Sequence, residues 1–332
     1  MTRWDWTWED RSQASRTPVV EPDPATSEQE TSTAASGGSV PQRGPDRVFR
    51  RRRAGAGVAL VVLIALVIAA IGSHKSSVHP QVSSTKDHVL VPPPSATERA
   101  ADVAEAESRA INSVLAYTPF VRSGGERGNE VALTFDDGPG PYTQQLVATL
   151  DKLHVRATFF AIGDQEQYFS AGTMAEVSSG DVIGNHTESH PMMASLSAHD
   201  QYEQLFEQMA HIEIVGGARP RLFRPPYGSF NATTFRELRH LHLLMVLWSV
   251  DTSDYTLPGT NTIVQTALSG AKPGAIILMH DGGGNRSETI AALPAIVKGL
   301  RKRGLDPVTV PRLLQDDPPP HGLPLPTSLA GD

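Results

Sequence analysis

Val131-Ala132-Leu133-Thr134-Phe135 runs directly into Asp136-Asp137-Gly138-Pro139, and the change of character at Asp136 governs how everything downstream is read. The first five residues are apolar but for one threonine, which predicts a strand. The next four cannot prolong it, because Gly-Pro favours a turn and proline has no N–H to offer a neighbouring strand. The same pattern of apolar strand then polar turn recurs to the end of the chain, interleaved with helices. The spacing predicts a helix over 142–152, a strand over 155–162 and a helix over 198–213 with Ser197 as its N-cap. Buried strands follow over 243–250 and 275–279, then a helix over 287–303 and a last strand over 306–310. Alternation of this kind implies a mostly parallel α/β sheet or barrel with helices outside. In such folds reactive side chains collect at the carboxyl ends of the strands.

The chain before this region reads differently. Residues 1–53 are rich in Ser, Thr, Pro, Glu and Gly without apolar periodicity, and predict a disordered cytoplasmic tail. Trp4, Trp6 and Trp8 stand at period-two spacing there, which suits a short docking strand for a cytoplasmic partner as well as an unstructured tail that carries aromatics. Residues 54–72 hold no charged side chain, and as a helix at ~1.5 Å per residue they would reach about 28 Å, close to the thickness of a bilayer core. Arg43, Arg47, Arg50, Arg51, Arg52 and Arg53 precede this run and a lone Lys75 follows it. That asymmetry predicts a single transmembrane helix with the N-terminus inside and the rest of the chain outside the cell membrane. Residues 73–94 read as a flexible spacer and 95–129 as a helical, connecting segment. Residues 130–314 form the globular domain, and 315–332 a Pro-rich tail. A net charge of −7 argues against a nucleic-acid partner, and the absence of cysteine leaves His, Asp and Glu as the metal ligands open to the chain.

Five polar clusters sit at the expected strand ends. Asp136-Asp137 gives two carboxylates that the Gly-Pro turn can bring toward one site with different roles, or a pair that merely caps the next helix. Asn185-His186-Thr187-Glu188-Ser189-His190-Pro191 places two His at i and i+4; on a helical turn both imidazoles face one side, at a spacing suited to one divalent ion. A chain with 12 His can also produce such a pair by chance. With an outlying carboxylate the pair has the pattern of a two-His, one-Asp hydrolytic centre with an open position. Arg224-Pro225-Pro226-Tyr227-Gly228 is stiffened by its prolines, so that the arginine and the Tyr227 amide can be held rigidly, or it is a plain surface turn. Asp251-Thr252-Ser253-Asp254-Tyr255 follows one apolar run. Leu278-Met279-His280-Asp281 closes another before Gly282-Gly283-Gly284, and a strand-end His is often structural.

In order and residue content these clusters resemble those of the polysaccharide deacetylases, metal-dependent carbohydrate esterases that share the nodulation-type chitooligosaccharide deacetylase homology domain. The resemblance spans residues 131–314 and implies a distorted, incomplete (β/α) barrel. It also implies roles. Asp136 matches the general base, and Asp137, His186 and His190 match the ligands of a divalent metal, zinc first, with cobalt or nickel also compatible with such a donor set. Arg224 matches the arginine that orients the base, the Tyr227 amide the oxyanion donor, His280 the general acid and Asp254 its carboxylate partner. Leu278 matches a wall of the acetyl pocket, beside Pro226 and Tyr255; the family usually has Trp at the position of Tyr255, a difference that bears on the groove wall and substrate preference. The implied activity is that of a hydrolase of carbon–nitrogen bonds other than peptide bonds, removing acetyl groups, N-acetyl foremost, from an extracytoplasmic polysaccharide or peptidoglycan. Two other readings stay open: an amidohydrolase of small linear or cyclic amides, and an inactive sugar-binding envelope protein on the same fold.

Overall fold

The computed structural model describes residues 96–326, with side chains from residue 101. The expected tail, membrane helix and spacer (1–53, 54–72 and 73–94) lie outside the described residues. Among the described residues no helix is long and apolar enough to cross a membrane.

Strands β1 (Phe120–Val121), β2 (Glu130–Asp136), β3 (Thr158–Ala161), β4 (Val182–Asn185), β5 (Leu222–Phe223), β6 (Leu244–Val246), β7 (Val250–Asp251), β8 (Ile276–His280) and β9 (Asp306–Val308) share one sheet. Its order is β1-β6-β5-β4-β3-β2-β8-β7, with β9 paired to the first half of β2, and every named strand pairing is parallel. The helices are α1 (Ala96–Leu115), α2 (Thr143–Leu153), α3 (Gly163–Ser179), α4 (Ala198–Ile214), α5 (Ala232–Leu241), α6 (Thr260–Gly270), α7 (Ser287–Lys302) and α8 (Val310–Asp316).

The single strand expected over 243–250 is two strands. β6 and β7 belong near opposite ends of the sheet, yet only Leu247, Trp248 and Ser249 join them. Three residues span roughly 10 Å, so the sheet must curl until its ends nearly meet. Hydrogen bonds mark the seam: the Leu247 N–H donates to the Val121 carbonyl and the Ser249 N–H to that of Ile276. The result is a curled, incomplete parallel barrel, as the resemblance implies. The helix and strand expected first, over 142–152 and 155–162, are observed as α2 and the shorter β3. Ser197 caps α4 as expected, its side chain accepting from the Asp200 N–H.

Side-chain alternation along β2 sorts the molecule into an outer layer and an interior. Val131, Leu133 and Phe135 pack outward with Leu146, Val147 and Leu150 of α2 and with Ile290, Leu293 and Ile296 of α7. Ala132 faces inward, in a cluster with Phe160, Leu222, Leu244 and Ile276. Ile111 and Val114 of α1 and Val310, Leu313 and Leu314 of α8 belong to this same cluster. The inward set on β2 therefore continues through Thr134 to Asp136, which delivers a carboxylate to the interior at the strand's carboxyl end.

Candidate active site and metal centre

Asp136 is the last residue of β2, and Asp137 is the first beyond it, with φ of 71°. That left-handed backbone turns the second side chain away from its strand direction, so both carboxylates face one mouth. Asp136 pairs in register with His280, the last residue of β8. The expected base and acid therefore stand side by side on adjacent strands.

His186 and His190 do not lie on a helical turn, which corrects the i, i+4 reading. After Asn185 the chain bends, with Thr187 (φ 70°) and His190 (φ 60°) both left-handed. Asn185 builds the bend, its Oδ1 accepting the Thr187 N–H at 2.8 Å while Thr187 Oγ1 accepts the His190 N–H at 3.0 Å. The carbonyls of Thr187 and Glu188 accept the N–H groups of Gly163 and Asp164 at 3.1 and 2.9 Å. These are donors that the first turn of α3 leaves without helical partners. The two imidazoles meet because this loop is pinned, not because a helix spaces them.

His190 Nε2 lies 3.1 Å and His186 Nε2 3.4 Å from Asp137 Oδ1, and the three ligand atoms fall within 4.8 Å of one another. Each ring is held from behind, His186 Nδ1 by the Arg224 carbonyl at 2.7 Å and His190 Nδ1 by the Tyr227 hydroxyl at 3.1 Å. Both Nε2 atoms thus turn toward Asp137. Two imidazole nitrogens and one carboxylate, anchored by outer hydrogen bonds, fit a zinc-type divalent ion. Burial opposes the Asp137 charge, but hydrogen bonds from His186 and His190 and the charges of His186 and His280 hold its carboxyl well below the usual range.

Arg224 is fully buried inside the barrel. Its Nη1 donates to Asp136 Oδ1 at 2.7 Å and to Thr134 Oγ1 at 2.9 Å, and its Nε donates to the Val246 carbonyl at 3.1 Å. Its guanidinium lies 4.2 Å from the Phe160 ring centroid. Asp136 Oδ2 lies 3.8 Å from His186 Nε2, and Asp136 stands outside the ligand trio.

Across the mouth, His280 Nδ1 meets Asp254 Oδ1 at 2.7 Å. Asp254 Oδ2 accepts the His280 N–H at 3.0 Å and the Thr289 hydroxyl at 2.6 Å. Burial works against the imidazolium, but the hydrogen bond and charge of Asp254, with the charges of Asp136 and Asp137, raise the His280 pKa above its ordinary value. Leu278 is buried two residues before His280 and so on the same face of β8, and Pro226 is buried at the head of the turn Pro226–Gly228. Tyr227, at φ 56°, gives its backbone N–H to no protein acceptor among the described residues. Tyr255 sets its ring edge-on to His280, with centroids 5.3 Å apart. Tyr227 and Tyr255 are exposed, as are Met192, two residues after His190, and Leu257, two after Tyr255.

The sequence reading missed the support behind the acidic pair. Asp281 is fully buried, donates its N–H to the Asp136 carbonyl at 3.1 Å and accepts from the Thr143 hydroxyl. A Cβ on Gly138 would lie 2.0 Å from Asp281 Oδ2, and one on Gly282 would lie 1.9 Å from the Asp137 carbonyl oxygen. Buried Arg286 donates from Nε to the Gly282 carbonyl at 2.6 Å. Three consecutive glycines after a strand end were the available signal for so close an approach.

Residues 123–246 match the family model described as polysaccharide deacetylase. A peptidoglycan-N-acetylglucosamine deacetylase of Bacillus cereus is 34% identical over 198 residues, covering 59% of this chain and 72% of the relative. A chitooligosaccharide deacetylase of Sinorhizobium fredii is 33% identical over 202 residues, covering 57% and 94%. Among solved structures, a peptidoglycan N-acetylglucosamine deacetylase superposes with a TM-score of 0.59 at 32% identity, over 62% of this chain and 97% of that one. A family 4 carbohydrate esterase of Streptomyces lividans, in complex with acetate, gives 0.51 at 36% identity, over 54% and 91%.

Proposed function

The chain belongs to the polysaccharide deacetylase family and is a hydrolase of carbon–nitrogen bonds other than peptide bonds, and from that premise we propose that it is a membrane-anchored, zinc-dependent enzyme removing N-acetyl groups from an extracytoplasmic glycan, peptidoglycan foremost. One observation carries the reading: the Asp137–His186–His190 cluster, a carboxylate held by Arg224 and an imidazole held by Asp254 converge on one mouth.

Asp137, His186 and His190 would hold a divalent cation, whose positive charge would polarise the acetyl carbonyl and make nearby water more acidic. Asp136, aimed by Arg224, takes the proton of the attacking water. The Tyr227 N–H, with no protein acceptor of its own, donates to the oxyanion as it forms. His280, its proton retained by Asp254, donates to the departing amine, which is too basic to leave unprotonated. Leu278 and Pro226 give the acetyl methyl an apolar wall, and the exposed rings of Tyr227 and Tyr255 suit the faces of sugars. The presence of base, ligands and acid together argues against the inactive sugar-binding alternative. A polymer substrate fits an anchored enzyme better than a small amide does, and the names of the relatives support peptidoglycan ahead of chitin-like oligomers or acetylated xylan.

Two experiments test this reading. Purified full-length protein, loaded with zinc, is incubated with peptidoglycan, chitin oligomers, a poly-N-acetylhexosamine and acetylated xylan, and released acetate is measured. Acetate from the N-acetylated polymers is expected; none from any polymer by a zinc-loaded sample overturns the substrate class. Protease added to intact cells should cut after residue 72 and spare the tail that holds Trp4, Trp6 and Trp8. Recovery of the full chain from the soluble cytoplasmic fraction removes the anchor and the compartment and leaves the small-amide reading ahead.

A further inference from the structure

The two histidines of the cluster are held in unlike ways. His186 is buried, and the atom behind its ring is a main-chain carbonyl that the fold cannot withdraw, that of Arg224. The Arg224 N–H itself donates to the Asn185 carbonyl at 2.9 Å, which ties β5 to β4 at this point. His190 sits nearer the surface on a left-handed residue, and the atom behind its ring is a side-chain hydroxyl on Tyr227, a residue 63% exposed. The two rings meet edge to face, with centroids 4.6 Å apart and planes at 68°. Tyr227 also lies at φ 56°, in the stiff Pro225-Pro226 turn, so its ring is aimed by backbone that few residues adopt readily.

An imidazole offers one nitrogen lone pair when neutral, and which nitrogen offers it depends on the hydrogen bond made by the other. If Nδ1 of His190 carries the proton, it donates to the Tyr227 oxygen and Nε2 is left free toward Asp137. If Nε2 carries it, Nε2 donates to Asp137 and Nδ1 accepts from the hydroxyl, so the hydroxyl holds the ring in the same orientation in either tautomer. We propose that the Tyr227 hydroxyl is the positioning group that holds the His190 ring with Nε2 toward Asp137, and that it thereby ties the turn bearing the backbone N–H of Tyr227 to the metal cluster. One residue then serves the site at both ends, with its amide toward the substrate carbonyl and its hydroxyl toward a ligand. The inference rests on the metal-centre reading given above.

Tyr227→Phe removes the hydroxyl and keeps the ring, the turn and the amide. Zinc affinity of the full-length protein, measured by competition with a chelating dye and needing no substrate, should weaken by ~10- to 100-fold, the usual cost of losing an outer partner of a ligand. In the zinc-loaded wild type, nitrogen NMR of His190 should report Nε2 as the zinc-bound nitrogen. The Phe variant should show a mixture. Unchanged zinc affinity, or the same single zinc-bound nitrogen in both proteins, overturns the inference while leaving the metal centre in place. Failure of the wild type itself to bind zinc removes both readings together, and neither outcome depends on which glycan is the substrate.

Discussion

Asp136 and Asp137 adjoin in sequence, but their carboxylates meet different partners, and that difference makes their roles separable by mutation. Asp137 faces two imidazoles, whereas Asp136 is bound by a buried guanidinium and stands outside the trio. Asp136→Asn should therefore bind zinc as the wild type does and yet turn over no substrate, while His186→Ala should lose the metal. Metal content by atomic absorption checks both, and loss of zinc from the Asn variant would contradict the division of roles. His280 carries a different signature. His280→Ala should lower turnover on an N-acetyl substrate by ~10²–10⁴. It should cost far less on an acetate ester whose leaving group needs no proton, and equal losses on the two would reduce His280 to a structural residue. The identities of these residues were legible in the sequence because each closes an apolar run. Their mutual geometry was not, since strand register and the pull of Arg224 and Asp254 arise only when distant strands pair.

At the scale of elements, the site is held by loops whose conformations the sequence signals only weakly. The His186–His190 spacing suggests a helix, but two side chains and a neighbouring helix decide otherwise: Asn185 and Thr187 satisfy N–H groups inside the bend, and the start of α3 draws on its carbonyls. α3 itself escaped the sequence reading because its inward positions include Glu166, Thr173 and Glu176, which break the apolar stripe that marks a buried helix face. The run over 243–250 was recognised as buried, but nothing in its composition shows that it changes place in the sheet after Val246. The outer strands and helices with clean periodicity were read nearly to their ends, as α7 illustrates. The loop after His280 offers a test of how tightly these elements meet. Gly282→Ala would place a methyl 1.9 Å from the Asp137 carbonyl oxygen, so the turn that carries a ligand must move. Zinc affinity and melting temperature should both fall, whereas Gly304→Ala, with no atom within 4 Å of its Cβ, should leave zinc affinity unchanged and lower the melting temperature only through its positive φ of 73°. Titration of zinc into the two variants separates them.

Over the whole molecule, the mismatch between burial and charge sets how stability responds to pH. Burial pushes the carboxyls of Glu166 and Asp181 up to about 7, and raises fully buried Glu176, neither of whose oxygens has a hydrogen-bond partner. Unfolded, Glu166 and Asp181 release their protons near pH ~4; folded, they keep them to about 7. Through that window the native state binds more protons, so their contribution to stability falls as pH rises. His280 acts in the same direction, because its raised pKa gives stability that is complete below the ordinary imidazole value and lost as pH climbs through its folded value. Asp137 and Asp254 act oppositely: Asp254 is also lowered, its burial outweighed by His280 and Thr289, and both groups lose their contribution only as pH falls below the ordinary carboxylate range. The metal-free protein should accordingly melt at a lower temperature at pH 8 than at pH 5.5. Glu166→Gln and Glu176→Gln should each flatten that slope by removing a proton that the folded state retains. Melts must be run without zinc, since metal binding displaces ligand protons and strengthens as pH rises, adding a slope of the opposite sign. A melting temperature that climbs from pH 5.5 to 8 in the metal-free wild type would show that the buried acids are ionised within the fold and matched by partners outside the contacts described.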